Sequence, residues 1–267
     1  MLQATASMQQ KPLILVTNDD GVGAPGIRAL ISIVRSMGRV VVVAPDRPQS
    51  GTAHAVTMNT PLRLDLVTKE EDYEEYSCSG TPADCVKLAY KVVMRRRPDL
   101  LVSGINHGTN ASINIIYSGT MAAVFEGALA GVPSVGFSLC NYSWEADFGP
   151  SLPFVEQIIR RVISIGLPPG VGLNVNVPVT ENGKINGVRL CRQANGTWLE
   201  DFDERKDPGG RPYYWLKGVF ARIGNGEDTD ESALEKGYIS VVPVHFDFTA
   251  GEALKELEDL NLNLSES

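Results

Sequence analysis

Histidine and cysteine are scarce in this chain, with three of the first and four of the second among 267 residues. Three histidines without an H-x-x-x-H pair argue against a zinc centre, which takes imidazole and thiolate ligands. The cysteines, Cys78, Cys85, Cys140 and Cys191, are scattered and form no C-x-x-C pair. They read as small core residues or half-buried thiols, not as a disulfide framework. Positive charge is short too. Lys and Arg number 24 against 32 Asp and Glu, a formal net charge of −8. Nucleic-acid binders carry a basic face, so no stable nucleic-acid partner is expected. The one basic run, Arg95-Arg96-Arg97, ends a predicted helix before Pro98, where positive charge complements the helix C-terminus. A small anionic substrate remains compatible with the acidic balance, because a bound cation reverses the local field.

Long apolar runs are missing as well. No stretch approaches the roughly 20 residues that span a bilayer. The opening MLQATASMQQK lacks the apolar middle of a signal peptide. The expectation is a cytoplasmic protein without membrane contact, carrying a flexible tail over residues 1–11. No internal repeat or low-complexity linker interrupts the remainder, so residues 12–267 read as one domain. A hydrophobic share of 43% and a charged share of 21% are ordinary for a globular chain.

What the chain does have is alternation. Residues 13–17 and 40–44 are short β-rich apolar runs of the kind buried in parallel sheets. Between them, 27–37 has helical apolar spacing, and Gly38 stands where a helix would stop. Residues 82–95 read as a helix with Thr81 as N-cap and Pro82 in the first position. A strand at 100–104, a helix at 119–130, a strand at 134–138, a helix at 153–165 and a strand from Gly172 follow. This βαβα order predicts a doubly wound α/β sheet. Beyond about residue 180 the rhythm changes. ENGKINGVRL reads as a turn entering a strand, and GTWLEDFDERKDPGGRPYYWLKG as a long hairpin whose tip is Asp207-Pro208-Gly209-Gly210. Its Tyr213-Tyr214-Trp215 cluster suits a lid, a dimerisation arm or packing on its own domain. YISVVPVHFDFT then reads as a strand and AGEALKELEDL as an amphipathic helix.

The stretch ILVTNDDGVGAPG carries the chemistry. Gly21, Gly23 and Gly26 satisfy G-x-G-x-x-G, with Asp46 some 20 residues on, which is formally a dinucleotide fingerprint. In that motif, however, the first glycine ends the strand so that a pyrophosphate can reach the helix N-terminus. Here Asn18, Asp19 and Asp20 intervene, and two carboxylates repel a pyrophosphate. A metal reading uses the same residues without conflict. Ligands of open α/β sheets bind beyond the C-terminal strand ends, and paired carboxylates there are costly without a cation or donors.

Two more strand ends add oxygen donors. APDRPQSGTAH supplies Asp46, Gln49, Ser50 and His54, and SGINHGTN supplies Ser103, Asn106, His107 and Asn110. Carboxylates, hydroxyls and amide carbonyls suit Mg²⁺, Mn²⁺ or Ca²⁺. Ser118-Gly119-Thr120 opens the 119–130 helix, and free N–H groups at a helix N-terminus make a phosphate seat. Gly80-Thr81-Pro82 either lines the same crevice or caps its own helix. His54 and His107 are each a general-acid candidate for a leaving alkoxide or a hydrogen-bonded loop histidine.

Taken together, ILVTNDDG (14–21), VVVAPDRPQSGTAHAVT (41–57), SGTPADCVKLA (79–89), PDLLVSGINHGTN (98–110) and YSGTMAAVFEGALAGVPSVGFSL (117–139) resemble the SurE family (survival protein E). This resemblance covers roughly residues 12–250. It implies a Rossmann-like three-layer α/β sandwich with a mostly parallel sheet and a C-terminal hairpin and helix elaboration. It also implies a metal-dependent 5′-nucleotidase acting on nucleoside monophosphates, and a homodimer or homotetramer with oligomerisation elements in roughly 180–267. The family's four metal-ligand positions fall on Asp19, Asp20, Ser50 and Asn106, with one divalent cation per subunit. Asp19 and Asp20 are also its catalytic candidates. Its phosphate loop falls on Asn110 and Ser118, Gly119 and Thr120. One departure is visible: Ala111-Ser112 stands where many members carry a glycine, and it bears on loop conformation. A dinucleotide-dependent oxidoreductase and a non-catalytic nucleotide sensor are the competing readings.

Overall fold

Strand β1 (Leu13–Thr17) is buried along its whole length, and its side chains alternate between two cores. Ile14 and Val16 join one apolar cluster, and Leu13 and Leu15 join another on the opposite face. Both faces of this strand are therefore covered, which is why it reads as an uninterrupted apolar run. A computed structural model describes residues 11–180, 183–224 and 226–257. Apart from Lys11, the expected tail over 1–11 lies outside the described residues, as does the end of the C-terminal helix.

After β1 come α1 (Pro25–Val34), β2 (Arg39–Pro45), β3 (Leu64–Glu70), β4 (Tyr73–Cys78) and α2 (Pro82–Leu88). Then follow β5 (Leu100–His107), α3 (Gly119–Leu129), β6 (Ser134–Leu139), α4 (Leu152–Ile165) and β7 (Val171–Val177). The C-terminal part holds β8 (Val188–Leu190), β9 (Gly196–Lys206), β10 (Pro212–Arg222), α5 (Asp230–Glu235), β11 (Ile239–His245) and α6 (Gly251–Glu256).

The main sheet runs β3-β4-β2-β1-β5-β6-β7-β11-β8. From β4 to β7 all pairings are parallel, whereas β3 pairs antiparallel with β4 and β11 antiparallel with β7. Helices α1 and α4 touch each other on one face, and α2 and α3 touch on the other. This is a three-layer, doubly wound sandwich with a predominantly parallel sheet. Strand order leaves β1 in one direction through β2 and in the other through β5, so the topological switch point lies between β1 and β5.

The sequence reading missed β3 and β4 for a physical reason. β3 is an edge strand with mostly exposed side chains, and β4 carries Glu74 and Glu75, which are buried yet paired with Arg39 at 2.7 Å and Arg28 at 2.9 Å. Charge-paired strands do not display an apolar pattern. The helix expected over 82–95 is also shorter. It passes at Ala89 into a wide π-helical turn, where the Met94 amide donates to the Ala89 carbonyl at 2.8 Å. Arg95 then turns out at φ 55°, so the basic run sits on the turn before Pro98. The predicted hairpin is present as the separate two-stranded ribbon β9–β10. The four cysteines are all free.

The third glycine of the opening stretch has a packing role. A Cβ on Gly26 would lie 1.9 Å from the carbonyl oxygen of Ile105, so α1 can approach β5 only without a side chain there. Gly26→Ala is expected to destabilise the fold by roughly 2 kcal/mol or more, the range of overpacked core sites. Urea denaturation of the purified variant against the parent checks this.

Candidate functional site

The end of β1 delivers two neighbouring carboxylates into the switch-point crevice. Asp19 and Asp20 are only 4% and 7% exposed. Asp19 Oδ1 accepts the Thr120 hydroxyl at 2.6 Å, and Asp20 Oδ2 accepts the His107 amide at 3.0 Å. The first contact reaches the opening turn of α3 and the second reaches the end of β5, so both carboxylates are held across the crevice. Burial, and then the charge of Asp20, push the Asp19 carboxyl up to about 6, against the lowering effect of Thr120 and nearby amides. Burial raises Asp20 as well. Two desolvated like charges of this kind cost free energy until a cation or further donors neutralise them.

The remaining expected residues are distributed around this pair. The Gln49 amide donates to the Asp19 carbonyl at 2.7 Å, which brings the 46–57 loop against β1. Ser50 follows directly but is exposed. Thr81 tethers the same loop. It caps α2 reciprocally with Asp84 and donates its hydroxyl to the Ala55 carbonyl at 2.7 Å, while Asp84 accepts the Thr57 amide at 3.1 Å. Of the two alternatives for Thr81, the capping of its own helix is the one these contacts display. Asp46 is exposed, with Arg47 3.9 Å from its carboxylate.

Asn106 sits just past a bulge in β5, where the register with β6 shifts between Ser103 and Asn106. Gly104 makes that bulge feasible, with φ 122° and a would-be Cβ only 2.3 Å from the Phe137 carbonyl. The Asn106 amide nitrogen donates to the Gly108 carbonyl at 2.9 Å. That leaves its carbonyl oxygen as the uncommitted end, since amide flips are decided by such contacts. Ser118 caps α3 by accepting the Met121 amide at 3.1 Å. Gly119 lies hard against the acidic pair, because a Cβ there would be 2.8 Å from the Asp19 Cβ. The amino end of an 11-residue helix therefore opens directly beside two carboxylates, a natural seat for an anion once a cation intervenes.

Asn110 is held by a ladder of asparagines that the sequence reading did not single out. Its amide donates to Asn176 Oδ1 at 2.8 Å and its carbonyl accepts from Asn174 Nδ2 at 2.8 Å. Its own Nδ2 donates one proton to Ser138 Oγ at 2.8 Å, leaving the second proton for another acceptor. Asn174 and Asn176 alternate with Val175 and Val177 in a strand covered on both faces. Polar residues at period two inside such a strand were the available signal.

The departure at Ala111-Ser112 is resolved by a residue from far down the chain. Ser112 adopts φ 53°, a left-handed conformation that favours glycine. Asp230, fully buried, accepts the Ser112 amide, the Ala194 amide and the Glu231 amide, each at 2.8 Å. The Ser112 hydroxyl also donates to the Ala194 carbonyl at 2.9 Å. Trp198 at the root of the β9–β10 ribbon adds a bond to Asn114 at 2.8 Å.

The two candidate histidines are engaged elsewhere. His54 Nε2 is 2.8 Å from Glu126 Oε1. His107 Nδ1 is 2.8 Å from the Ser143 carbonyl, and its ring stacks on Trp144 at 5.1 Å. Each ring thus makes a loop-holding contact, while His107 Nε2 is buried without a partner among the described residues.

Fold and crevice together define a doubly wound α/β protein with an acidic, oxygen-lined site at the topological switch point. The profile of the family described as Survival protein SurE matches residues 14–200. The chain is 55% identical over 257 residues to the 5′-nucleotidase SurE of Christiangramia forsetii, covering 96% of this chain and 99% of that one. It is 56% identical over 255 residues to the 5′-nucleotidase SurE of Flavobacterium johnsoniae, covering 95% and 98%. A crystal structure of the SurE protein from Aquifex aeolicus superimposes with a TM-score of 0.79 at 38% identity, over 94% of this chain and all of that one. The chain belongs to the SurE family.

Burial, then the charges of Asp230 and Glu235, push the Glu231 carboxyl up to about 7. A folded-state value above the unfolded one means that folding favours the protonated form. The stability linked to this group is therefore full below about pH 4.3, the ordinary glutamate value. It is lost as pH climbs to about 7. Glu231→Gln is accordingly expected to raise the melting temperature over the parent more at pH 8 than at pH 5, as read by scanning calorimetry at both values.

Proposed function

We propose that this protein is a divalent-metal-dependent 5′-nucleotidase, a phosphoric monoester hydrolase that converts nucleoside monophosphates to nucleoside and phosphate. The observation that carries the reading is the buried Asp19–Asp20 pair set against the amino end of α3. The names borne by relatives matching nearly the whole chain point the same way.

The residues fit a hard dication. The donors are carboxylate, hydroxyl and amide oxygens, and the paired acids need neutralising charge. Asp19, Asp20, Ser50 and Asn106 would hold one Mg²⁺ or Mn²⁺, with Ca²⁺ as a further candidate. Such an ion supplies Lewis acidity at the phosphoryl oxygens and acidifies the attacking water. Around it, the amides of Gly119 and Thr120 and the Ser118 hydroxyl bind the equatorial oxygens of the phosphoryl group. They are fixed in place before the reaction, so they stabilise the charge that develops there without reorganising. Asn110 offers its second amide proton to the same group. Thr120 keeps the Asp19 carboxylate oriented, and the His107 amide does the same for Asp20.

A dinucleotide site draws no support from this geometry. Gly26 serves helix packing, Asp46 is exposed beside Arg47, and two carboxylates stand where the motif would bring a pyrophosphate to the helix. A nucleotide sensor on the same scaffold would bind but release nothing.

Among the described residues no helix is long and apolar enough to cross a membrane; a cytoplasmic location belongs to the same proposal and is not drawn from that. We also assign subunit assembly to the β9–β10 ribbon. Both its faces carry exposed apolar side chains, including Phe202, Trp215 and Val219, and such patches mark contact surfaces. We propose a homodimer or homotetramer on this basis. Trp215→Ser with Val219→Ser is expected to lower the mass measured by light scattering.

Phosphate release from a panel of nucleotides tests the activity. The expected result is hydrolysis of monophosphates with Mn²⁺ or Mg²⁺, and its loss on chelation. Asp19→Asn and Asp20→Asn are each expected to cut kcat/KM by roughly a thousandfold, in line with the loss of several kcal/mol of charge stabilisation. Both should also abolish the rise in melting temperature that Mn²⁺ gives the parent, with the metal-free melting temperature preserved. Near-normal turnover by either variant would refute the assignment.

A further inference from the structure

The short stretch that bears Ser50 begins at one firm anchor, the Gln49 amide on the Asp19 carbonyl at 2.7 Å. Ser50 and Gly51 then stand exposed. Thr52 supports them through two narrow turns: its amide donates to the Gln49 carbonyl, and its carbonyl accepts the Ala55 amide, both at 3.2 Å. Gly51 takes φ 74° and Ala53 φ 52°. Left-handed backbone suits the glycine and is disfavoured for the alanine. A contact from outside the loop has to keep Ala53 there.

That contact comes from α3. His54, the next residue, places Nε2 2.8 Å from Glu126 Oε1, and its ring lies nearly parallel to Phe125, at 16° and 6.3 Å between centroids. Lys87 of α2 holds the other Glu126 oxygen, with Nζ 2.6 Å from Oε2. A carboxylate only accepts, so His54 donates from Nε2. Burial works against the charge on Glu126, yet the bonds from His54 and Lys87 prevail and keep its carboxyl below the usual range. The Glu126 side chain is only 11% exposed. Charge-assisted bonds of this kind are stronger than neutral ones, and burial spares them much of the screening by salt. Glu126 also follows Gly119 by seven residues, about two helical turns, so it stands on the side of α3 against which Asp19 packs.

We propose that Glu126 is a positioning residue for the metal site: through His54 it fixes the 50–53 loop so that Ser50 stays within reach of Asp19 and Asp20. The role rests on the assignment of Ser50 to the cation made above. Thr81 and Asp84 hold the chain only from Ala55 onward. Without the His54 contact the unanchored span grows and Ala53 is free to leave its left-handed conformation. Ser50 is then near the acids for only part of the time.

The test measures Mn²⁺ affinity by titration calorimetry and, in metal-free protein, deuterium exchange of the amides over 49–55. Glu126→Ala and His54→Ala are each expected to raise the Kd for Mn²⁺ roughly tenfold, the lower end of what outer partners of metal ligands contribute. Exchange at the Thr52 and Ala55 amides is expected to quicken in both. His54→Gln, which keeps an N–H donor, is expected to recover affinity to within about threefold of the parent. Lys87→Met removes the α2 half of the network, so it is expected to lower the melting temperature while leaving Kd within about twofold. Parent-like Mn²⁺ affinity in both alanine variants overturns the proposal, and so does a loss in Lys87→Met as large as that in Glu126→Ala. Failure of His54→Gln to recover affinity would tie the loss to ring packing on Phe125 and likewise overturn the role of Glu126. If the parent itself binds no Mn²⁺, the metal reading falls and the proposal with it. Should Glu126→Ala not fold, His54→Ala carries the test, because that side chain is 38% exposed.

Discussion

Two carboxylates on consecutive residues, both desolvated, set the conditions that the rest of the site must meet. Like charges on neighbouring residues repel strongly once water is removed, and burial, with the charge of Asp20 added at Asp19, has already raised both of them. The fold answers with oriented positive ends: the Thr120 hydroxyl and the first turn of α3 on Asp19, and the His107 amide on Asp20. These contacts hold the acids in place without fully neutralising them. The remaining charge is what, on the proposed reading, a hard cation would neutralise, and a phosphate would follow the cation. The topology makes this possible at one place only, between β1 and β5, where neighbouring crossovers leave the sheet in opposite directions.

Behind the acids lies a second tier made of uncharged polar groups. Asn110, Asn174, Asn176 and Ser138 satisfy one another completely enough to be buried. A closed polar network in a dry core is rigid, because any displacement leaves an unpaired donor or acceptor. Catalysis by electrostatic preorganisation requires such rigidity, since donors that must move into place forfeit part of their effect. The same logic explains Gly26, Gly104 and Gly119. Each lets backbone or helix approach closer than a methyl group would allow, and each of those approaches borders the crevice.

Much of this was legible in the sequence. The parallel strands announce themselves through apolar runs, and the site through Asp19-Asp20 followed by glycines, because those acids have no structural excuse at the end of a buried strand. The helix start at Ser118 was legible for the same reason, as a cap with hydroxyls. What escaped was whatever depends on partners distant in the chain. β4 hides because Glu74 and Glu75 are buried only by virtue of Arg39 and Arg28. Ala111-Ser112 stands where many members of the family are expected to carry a glycine, and nothing near it in the chain indicates that Asp230 will hold the Ser112 backbone. The contact between His54 and Glu126 joins residues 72 apart in the chain, and no local pattern encodes it.

The triple acceptance by Asp230 has a further consequence for how the molecule comes into being. Ser112 is joined to a carboxylate 118 residues later, so the turn leading into α3 lacks that buried partner while only the first half of the chain exists. Contacts of such wide sequence separation close late, after the loop entropy between them has been overcome. The backbone at Ser112 therefore gains its buried carboxylate partner only once α5 has docked against the sheet.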